Sequence, residues 1–148
     1  MQNTHPALQN LSIQRHCMQE LLHDAISGRQ PCCQGLLAGG GNMIEKRLAV
    51  TKTSYKADHS IADFLDPYPF VGIYISTREA CDADSDRIRK LTELVQTFHA
   101  QPPACYLLLE LGHKGRVDAR LFADAELSMP IPLDLQEDGD LYPVTVNR

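Results

Sequence analysis

Phe70-Val71-Gly72-Ile73-Tyr74-Ile75-Ser76 is a continuous apolar run, rich in β-branched and aromatic side chains. A run without alternation is expected of a strand buried on both faces. Such a strand needs covering on each side, and the flanking sequence supplies candidate helices. Downstream, Thr77 to Asp84 is polar and acidic and reads as a loop. About Ser85 to Ala100, Ile88, Leu91, Leu94, Val95 and Phe98 mark one apolar helical stripe, which Gln101-Pro102-Pro103 ends. Ala104 to Leu111 is a second apolar strand. Gly112-His113-Lys114-Gly115 reads as a hairpin turn with His113 exposed. Arg116 to Ala123 returns, with Val117, Ala119 and Leu121 alternating. Met129 to Leu135 reads as one edge strand, since Pro130 and Pro132 cannot donate to a ladder.

Upstream, Ser54 to Pro69 reads as a loop, marked by Asp66-Pro67 and Tyr68-Pro69. Gln34 to Ala38 is a short apolar strand. Gly39-Gly40-Gly41-Asn42 supplies a tight reversal, and Met43 to Thr53 is the returning strand. Ile13 to Ile26 reads as an amphipathic helix on the spacing of Ile13, Cys17, Leu21 and Ala25, with Met18 and Leu22 beside them. Ser12 would cap it and Gly28 would stop it. The order is helix, hairpin, loop, strand, helix, hairpin, edge strand. It predicts an α+β domain in which two main helices flank a curved mixed sheet.

The chain has 148 residues, 43% hydrophobic and 22% charged. That predicts one domain over residues 1–148, with a core from about 12 to 135, a polar N-terminal lead and an acidic tail. A net charge of −5, no basic run and no Trp disfavour nucleic acid as a partner. No apolar stretch approaches the roughly 18 to 20 residues of a membrane helix, and Met1 to Leu11 lacks the apolar segment of a signal peptide. Cys17, Cys32, Cys33, Cys81 and Cys105 are odd in number and irregular in spacing. They do not read as a disulfide framework or a zinc ribbon, and the five are expected to be unpaired. A cytoplasmic location follows as the expectation.

Three segments together resemble the JAB/MPN (JAMM) family, whose fold houses zinc-dependent isopeptidases. Cys33-Gln34-Gly35-Leu36-Leu37-Ala38-Gly39 is similar to its small-x-Gly-Leu-Leu-x-Gly strand. Val71-Gly72-Ile73-Tyr74-Ile75-Ser76-Thr77 is similar to its Val-Gly-x-Tyr-His-Ser-His strand. Cys105-Tyr106-Leu107-Leu108-Leu109, a hairpin and Ala119-Arg120-Leu121-Phe122 resemble its late Tyr-Leu-Ile strand and Arg-Ala-Phe partner. The similarity runs from about Met18 to Leu135 and implies the cytidine-deaminase-like JAB/MPN fold.

The resemblance also implies where a zinc site would stand. In the family, two histidines in His-x-His spacing share one face of a strand, because the strand period is two. An Asp from the next helix completes the protein ligands and water takes the fourth position. A Glu acts as base on that water, and a Ser stabilises the oxyanion. In this sequence the histidine positions are Ile75 and Thr77, and the following proline is Arg78. The serine position is Ser85, the aspartate position Ile88, and the glutamate position Cys32. Ile75 and Ile88 have no lone pair, and Arg78 would repel a cation. Asp84 and Asp86 lie close to the aspartate position, and a two-residue insertion would bring one onto it. The histidines would still be missing, for His-x-His occurs nowhere among His5, His16, His23, His59, His99 and His113. The resemblance therefore implies a degenerate member without metal or cofactor, its site refilled by packing. Each buried isoleucine would contribute roughly 1.5 to 3 kcal/mol.

Other chemistry-bearing residues have plainer readings. Cys32, Cys33 and Cys81 could support thiolate chemistry if Arg78 or a helix N-terminus lowered a pKa, but cysteines also serve as small core residues. Glu79, Asp82, Asp84 and Asp86 could attract Mg²⁺ or Ca²⁺, yet they lack the pattern of a calcium loop and suit a helix N-terminus. Ser85 reads as an N-cap and Gly39-Gly40-Gly41 as a hairpin, since no Lys-Ser/Thr follows the glycines.

The function expected is a catalytically inactive JAB/MPN-like scaffold. Its partner would be a second copy, another JAB/MPN-like subunit or a ubiquitin-like protein. Contacts are expected at Met18 and Leu22 or along Met129 to Leu133. The alternative is a metallopeptidase-like or thiol-dependent enzyme with a non-standard site on the same fold.

Overall fold

The computed structural model describes residues 11–26, 32–40, 42–50, 59–67, 69–77, 84–98, 101–112 and 116–136. Its strands are β1 (Leu11–Gln14), β2 (Gln34–Gly40), β3 (Met43–Ala49), β4 (Phe70–Thr77), β5 (Cys105–Leu111), β6 (Val117–Phe122), β7 (Pro130–Ile131) and β8 (Leu133–Gln136). The helices are α1 (Arg15–Ile26), α2 (His59–Leu65) and α3 (Asp84–Gln96). The strands form one mixed sheet in the order β7-β6-β5-β4-β2-β3-β1-β8. The hairpins β2–β3 and β5–β6 are antiparallel, whereas β4 and β5 are parallel with α3 crossing between them.

β7 and β8 end the sheet at opposite sides, yet only Pro132 separates them in sequence. The sheet must therefore curl until its two edges are one residue apart. The Leu11 N–H donates to the Pro132 carbonyl at 3.1 Å, tying β1 to that junction. The curl surrounds α1, which packs on β1, β3, β5, β6 and β8. Cys17, Leu21 and Ala25 of α1 join Leu37, Tyr74, Leu107 and Ile131 in one buried cluster. Arg47 of β3 pins this helix from outside, 3.0 Å from Asp24. The opposite face of the sheet carries α3, whose Ile88, Leu91, Leu94 and Val95 bury against Leu36, Ile73, Ile75 and Leu108. The unbroken burial of β4 from Val71 to Ser76 follows from this double cover.

Two glycines make the central pairing possible. A Cβ on Gly35 would strike the Leu48 carbonyl oxygen and the Tyr74 ring, and one on Gly72 would strike the Cys105 carbonyl oxygen. Both strands carry glycine where another chain segment approaches closely.

Several expectations are corrected. Ser12 does not cap a helix. Leu11 to Gln14 is a strand, parallel to both β3 and β8, and the first helix begins at Arg15. Ile13 is buried by that pairing, and its spacing to Cys17 imitates a helical period by coincidence. The Ser54–Pro69 stretch contains α2, a helix of under two turns anchored by buried Ile61. Met129 to Leu135 is not one edge strand but two, split at Pro132 and serving opposite edges. Gly39 and Gly40 belong to β2, with a bulge between Ala38 and Gly39, and β3 ends at Ala49. Cys32 is disulfide-bonded, while Cys17, Cys33 and Cys105 carry thiols. Irregular spacing argues against a framework of bridges but not against one bridge, which needs only proximity in three dimensions. The cytoplasmic expectation loses that support, and no helix among the described residues is long and apolar enough to cross a membrane. Gly28, Gly41, residues 51–53, His5, His99 and His113 lie outside the described residues.

Candidate functional site at the start of α3

The start of β2, the end of β4 and the first turn of α3 converge. Antiparallel pairing sets Gln34 opposite Ile75. One residue further out, the Ser76 N–H donates to the Cys33 carbonyl at 2.7 Å, and the Cys33 N–H donates to Ser76 Oγ at 2.8 Å. Directly opposite residues share a face, so Gln34 and Ile75 both look toward α3. The locus thus gathers positions far apart in sequence, with Cys32 and Thr77 at its half-buried rim.

Arg87 fills the centre and is only 4% exposed. Its Nε–H donates to Gln34 Oε1 at 2.9 Å. Nη1 donates to the Ser76 carbonyl at 2.7 Å and Nη2 to the Cys33 carbonyl at 2.8 Å. Asp84, one turn earlier, stands 4.0 Å from Nη1. A buried guanidinium is tolerable because its forked donors are matched by carbonyl and amide oxygens in fixed places. The strand-end carbonyls gain a partner in turn, where a frayed sheet end would leave them exposed to water.

Ile75 and Ile88 lie in the same apolar cluster, 1% and 3% exposed. Ser85 is exposed inside the first turn of α3; the helix begins one residue earlier, so Ser85 does not precede it as a cap. Asp84 and Asp86 stand in that first turn, where carboxylates complement the helix dipole. Burial pushes the Cys33 thiol above its ordinary pKa, against the partly offsetting hydrogen bond with Ser76. Its Sγ–H donates to the Asp24 carbonyl at 3.2 Å. A raised pKa and a donated proton both disfavour the thiolate. Among the described residues, no group of three His, Cys, Asp or Glu side chains is placed to hold a metal ion. Arg78, Glu79, Cys81 and Asp82 lie outside the described residues.

Of the positions that the family resemblance marks, the fold brings Cys32, Ile75 and Thr77 to neighbouring strand ends and sets Ile88 against Ile75, while Ser85 faces solvent. Arg87 is the residue that sequence reasoning misses. On a helix it looks like any solvated cation, and the one available signal is its place immediately before Ile88 on the apolar stripe. Met18 and Leu22, expected as contact residues, are half-buried against the chain's own core. Met129 is 60% exposed.

No protein-family model matches the chain, and no curated protein matches it. Solved structures do. A JAB1/MPN domain protein from Archaeoglobus fulgidus superposes with a TM-score of 0.55 at 10% identity, over 86% of this chain and 98% of that one. A protein from Desulfitobacterium hafniense gives 0.57 at 14% identity, over 86% and 94%. A JAMM structure with a metalloprotease-like zinc site, from work on the proteasome and signalosome, gives 0.53 at 12% identity, over 86% and 99%. The likeness covers nearly all of each relative, and at these identities it is one of architecture. The chain has the α+β fold of the JAB1/MPN domain structures, a curved eight-stranded mixed sheet with helices on both faces.

Proposed function

We propose that this chain is a non-catalytic domain of the JAB/MPN fold that works by binding another protein. The observation that carries this reading is the pairing of Ile75 and Ile88 in one apolar cluster beside the buried Arg87. Zinc needs nitrogen, sulfur or oxygen donors converging within about 2.0 to 2.3 Å. The locus offers two hydrocarbon side chains at the expected ligand positions and a permanent cation beside them. Its carbonyl oxygens at Cys33 and Ser76 already accept from Arg87. Among the described residues, this donor set does not fit the metal. Thiol chemistry finds no better support, since Cys32 is in a disulfide and the Cys33 thiol is held protonated.

The test has two arms. After dialysis against zinc and then buffer, the purified protein is expected to retain no stoichiometric zinc by elemental analysis. It is also expected to leave a ubiquitin-like isopeptide substrate intact. Retained zinc that a chelator removes, or cleavage that a chelator stops, would overturn the non-catalytic reading. Cross-linking mass spectrometry and light scattering then separate a second copy of this chain from a different protein as the partner. A strictly monomeric protein that captures neither would overturn the interaction role.

A further inference from the structure

We propose that the fork where β6 and β8 part, beside Met18 and Leu22 of α1, takes an extended segment of a partner protein, with apolar side chains at alternate positions and lysine or arginine between them. This names a surface and a partner chemistry for the protein-binding reading and rests on that reading. The fork follows from the path of residues 130–136. Ile131 pairs with Leu121 of β6, and the Ala123 N–H donates to the Met129 carbonyl at 2.9 Å. Beyond Pro132 the chain pairs with β1 instead, Leu133 to Gln136 against Leu11 to Gln14. β6 and β8 thus diverge from the Leu121–Ile131 pair. Along Val117–Arg120 and Leu133–Gln136, no strand among the described residues pairs with their facing edges.

Strand periodicity aims the free backbone groups. Ala123 bonds toward Met129, so at a period of two Leu121, Ala119 and Val117 turn their N–H and C=O groups to that same side. The Pro132 carbonyl accepts from Leu11 on the β1 side, so Leu133 and Leu135 turn theirs the other way, toward β6. The side chains of Val117, Ala119, Leu133 and Leu135, with those of Met18 and Leu22, are half-buried and pack on the cluster around α1. The fork therefore has an apolar floor and a hydrogen-bonding edge on either side. Sheet edges are commonly guarded by lysine, proline or a bulge, and Leu133 to Gln136 carries none of these. Such an edge is a template for one more strand.

The floor selects the inward residues of the occupant and the outer rim its outward ones. An added strand sends every second side chain onto Met18 and Leu22, so those positions favour apolar residues. On the outer face, Arg116 stands 3.5 Å from Asp118 and Arg120 pairs with Glu110, so these charges are matched within the chain. Asp134 is exposed, and among the described residues no ion pair includes it. The net charge of −5 adds to its attraction for a cation, and a second copy of this chain would bring the same negative charge. The four residues of β8 span about 13 Å, so a segment of about four to six residues covers the edge.

The probe is a capped Lys-Val-Lys-Val-Lys-Val peptide, added to the full wild-type chain at about 0.15 M salt. Amide hydrogen exchange by NMR is expected to be fast at Val117, Ala119, Leu133 and Leu135 in the free chain. It should slow about tenfold or more there at saturating peptide. Two controls should leave these four amides unprotected: Lys-Lys-Lys-Val-Val-Val, of equal charge and composition, and the alternating peptide N-methylated at every residue. Asp134→Lys, at an exposed position, should weaken binding about two- to fivefold. Equal protection by either control, no protection by the alternating peptide, or equal affinity of Asp134→Lys would overturn the proposal. Protection already present in the free chain would mean that its own residues fill the fork. Protection that grows with protein concentration would mean that a second copy does, and either result also overturns it. Cross-linking tests whether a partner exists, and amide exchange tests where it lies. A captured partner that leaves these amides exposed therefore removes this surface and keeps the protein-binding role.

Discussion

The Nε–H of Arg87 donates to Oε1 of Gln34 at 2.9 Å, keying the first turn of α3 to the first residue of β2. The same guanidinium reaches the carbonyls of Cys33 and Ser76, so one side chain ties a helix to two strands. Removing it takes a donor from three acceptors at once, although the Cys33 carbonyl keeps the Ser76 N–H.

Arg87→Ala is therefore expected to cost about 3 to 5 kcal/mol in urea unfolding, the range for breaking a buried charged network. Arg87→Lys keeps the charge but not the fork, and should recover less than half of that loss. Equal stability of Arg87→Ala and wild type would show that the network contributes nothing.

Installing the family's metal-ligand pattern tests the same locus from the other side. Ile75→His combined with Thr77→His places an imidazole in the α3-side core, where Ile75 is 1% exposed. A loss of about 2 to 4 kcal/mol is expected, from lost apolar burial and an unpaired polar ring. Zinc should not restore the stability, since Arg87 stands beside the new imidazole and Ile88 supplies no ligand. A chelator-sensitive rise in melting temperature with zinc would show instead that the locus still accepts the metal.

Gly35→Ala and Gly72→Ala probe the close pairing of β2, β3, β4 and β5. A Cβ at 35 would also meet Tyr74 Cε2 at 2.7 Å, and one at 72 would meet Cys105 Sγ at 2.6 Å. Because backbone carbonyls obstruct both positions, neighbours cannot simply rotate away. Each substitution should destabilise by roughly 1 to 3 kcal/mol or more, measured as a shift in urea midpoint at unchanged slope.

Alkaline pH should weaken the fold. Desolvation holds the Cys105 thiol neutral, its pKa pushed up to about 12 from 9.0, and it raises Tyr74 above the ordinary phenol value as well. In the unfolded chain these groups ionise earlier, so above pH 9 the unfolded state binds fewer protons than the native state. Stability is then full below pH 9 and is lost as pH rises toward 12. Urea midpoints measured from pH 8 upward should fall across that window, and less steeply in Cys105→Ala. A flat profile would show that neither group stays buried and neutral.

Local pattern makes the central architecture legible. β4 and β5 are unbroken apolar runs, α3 carries its stripe at helical spacing, and the glycines at 35 and 72 sit in strands where only a missing Cβ allows close pairing. Other elements are poorly encoded locally. β1 is four residues long, and Ile13 falls into step with the helix after it. α2 is too short to show a period. The split at Pro132 is invisible because a proline at an edge and a proline between two edges look alike in sequence. At the site, Ile75, Ile88 and Cys32 can be placed through the family likeness, whereas Arg87 cannot. Burial of an arginine depends on acceptors 53 and 54 positions away in the chain, at Gln34 and Cys33.

By itself the sequence determined which segments must be covered on both faces, and that the expected ligand positions hold isoleucine, threonine and isoleucine. Those are properties of side-chain chemistry and short-range spacing. Only the tertiary structure decided that the sheet curls around α1 until Pro132 joins its edges, that Cys32 is bridged, and that Arg87 ends up inside. Each of these depends on contacts between residues distant in sequence, and a local pattern carries no record of which distant acceptor a buried guanidinium will meet.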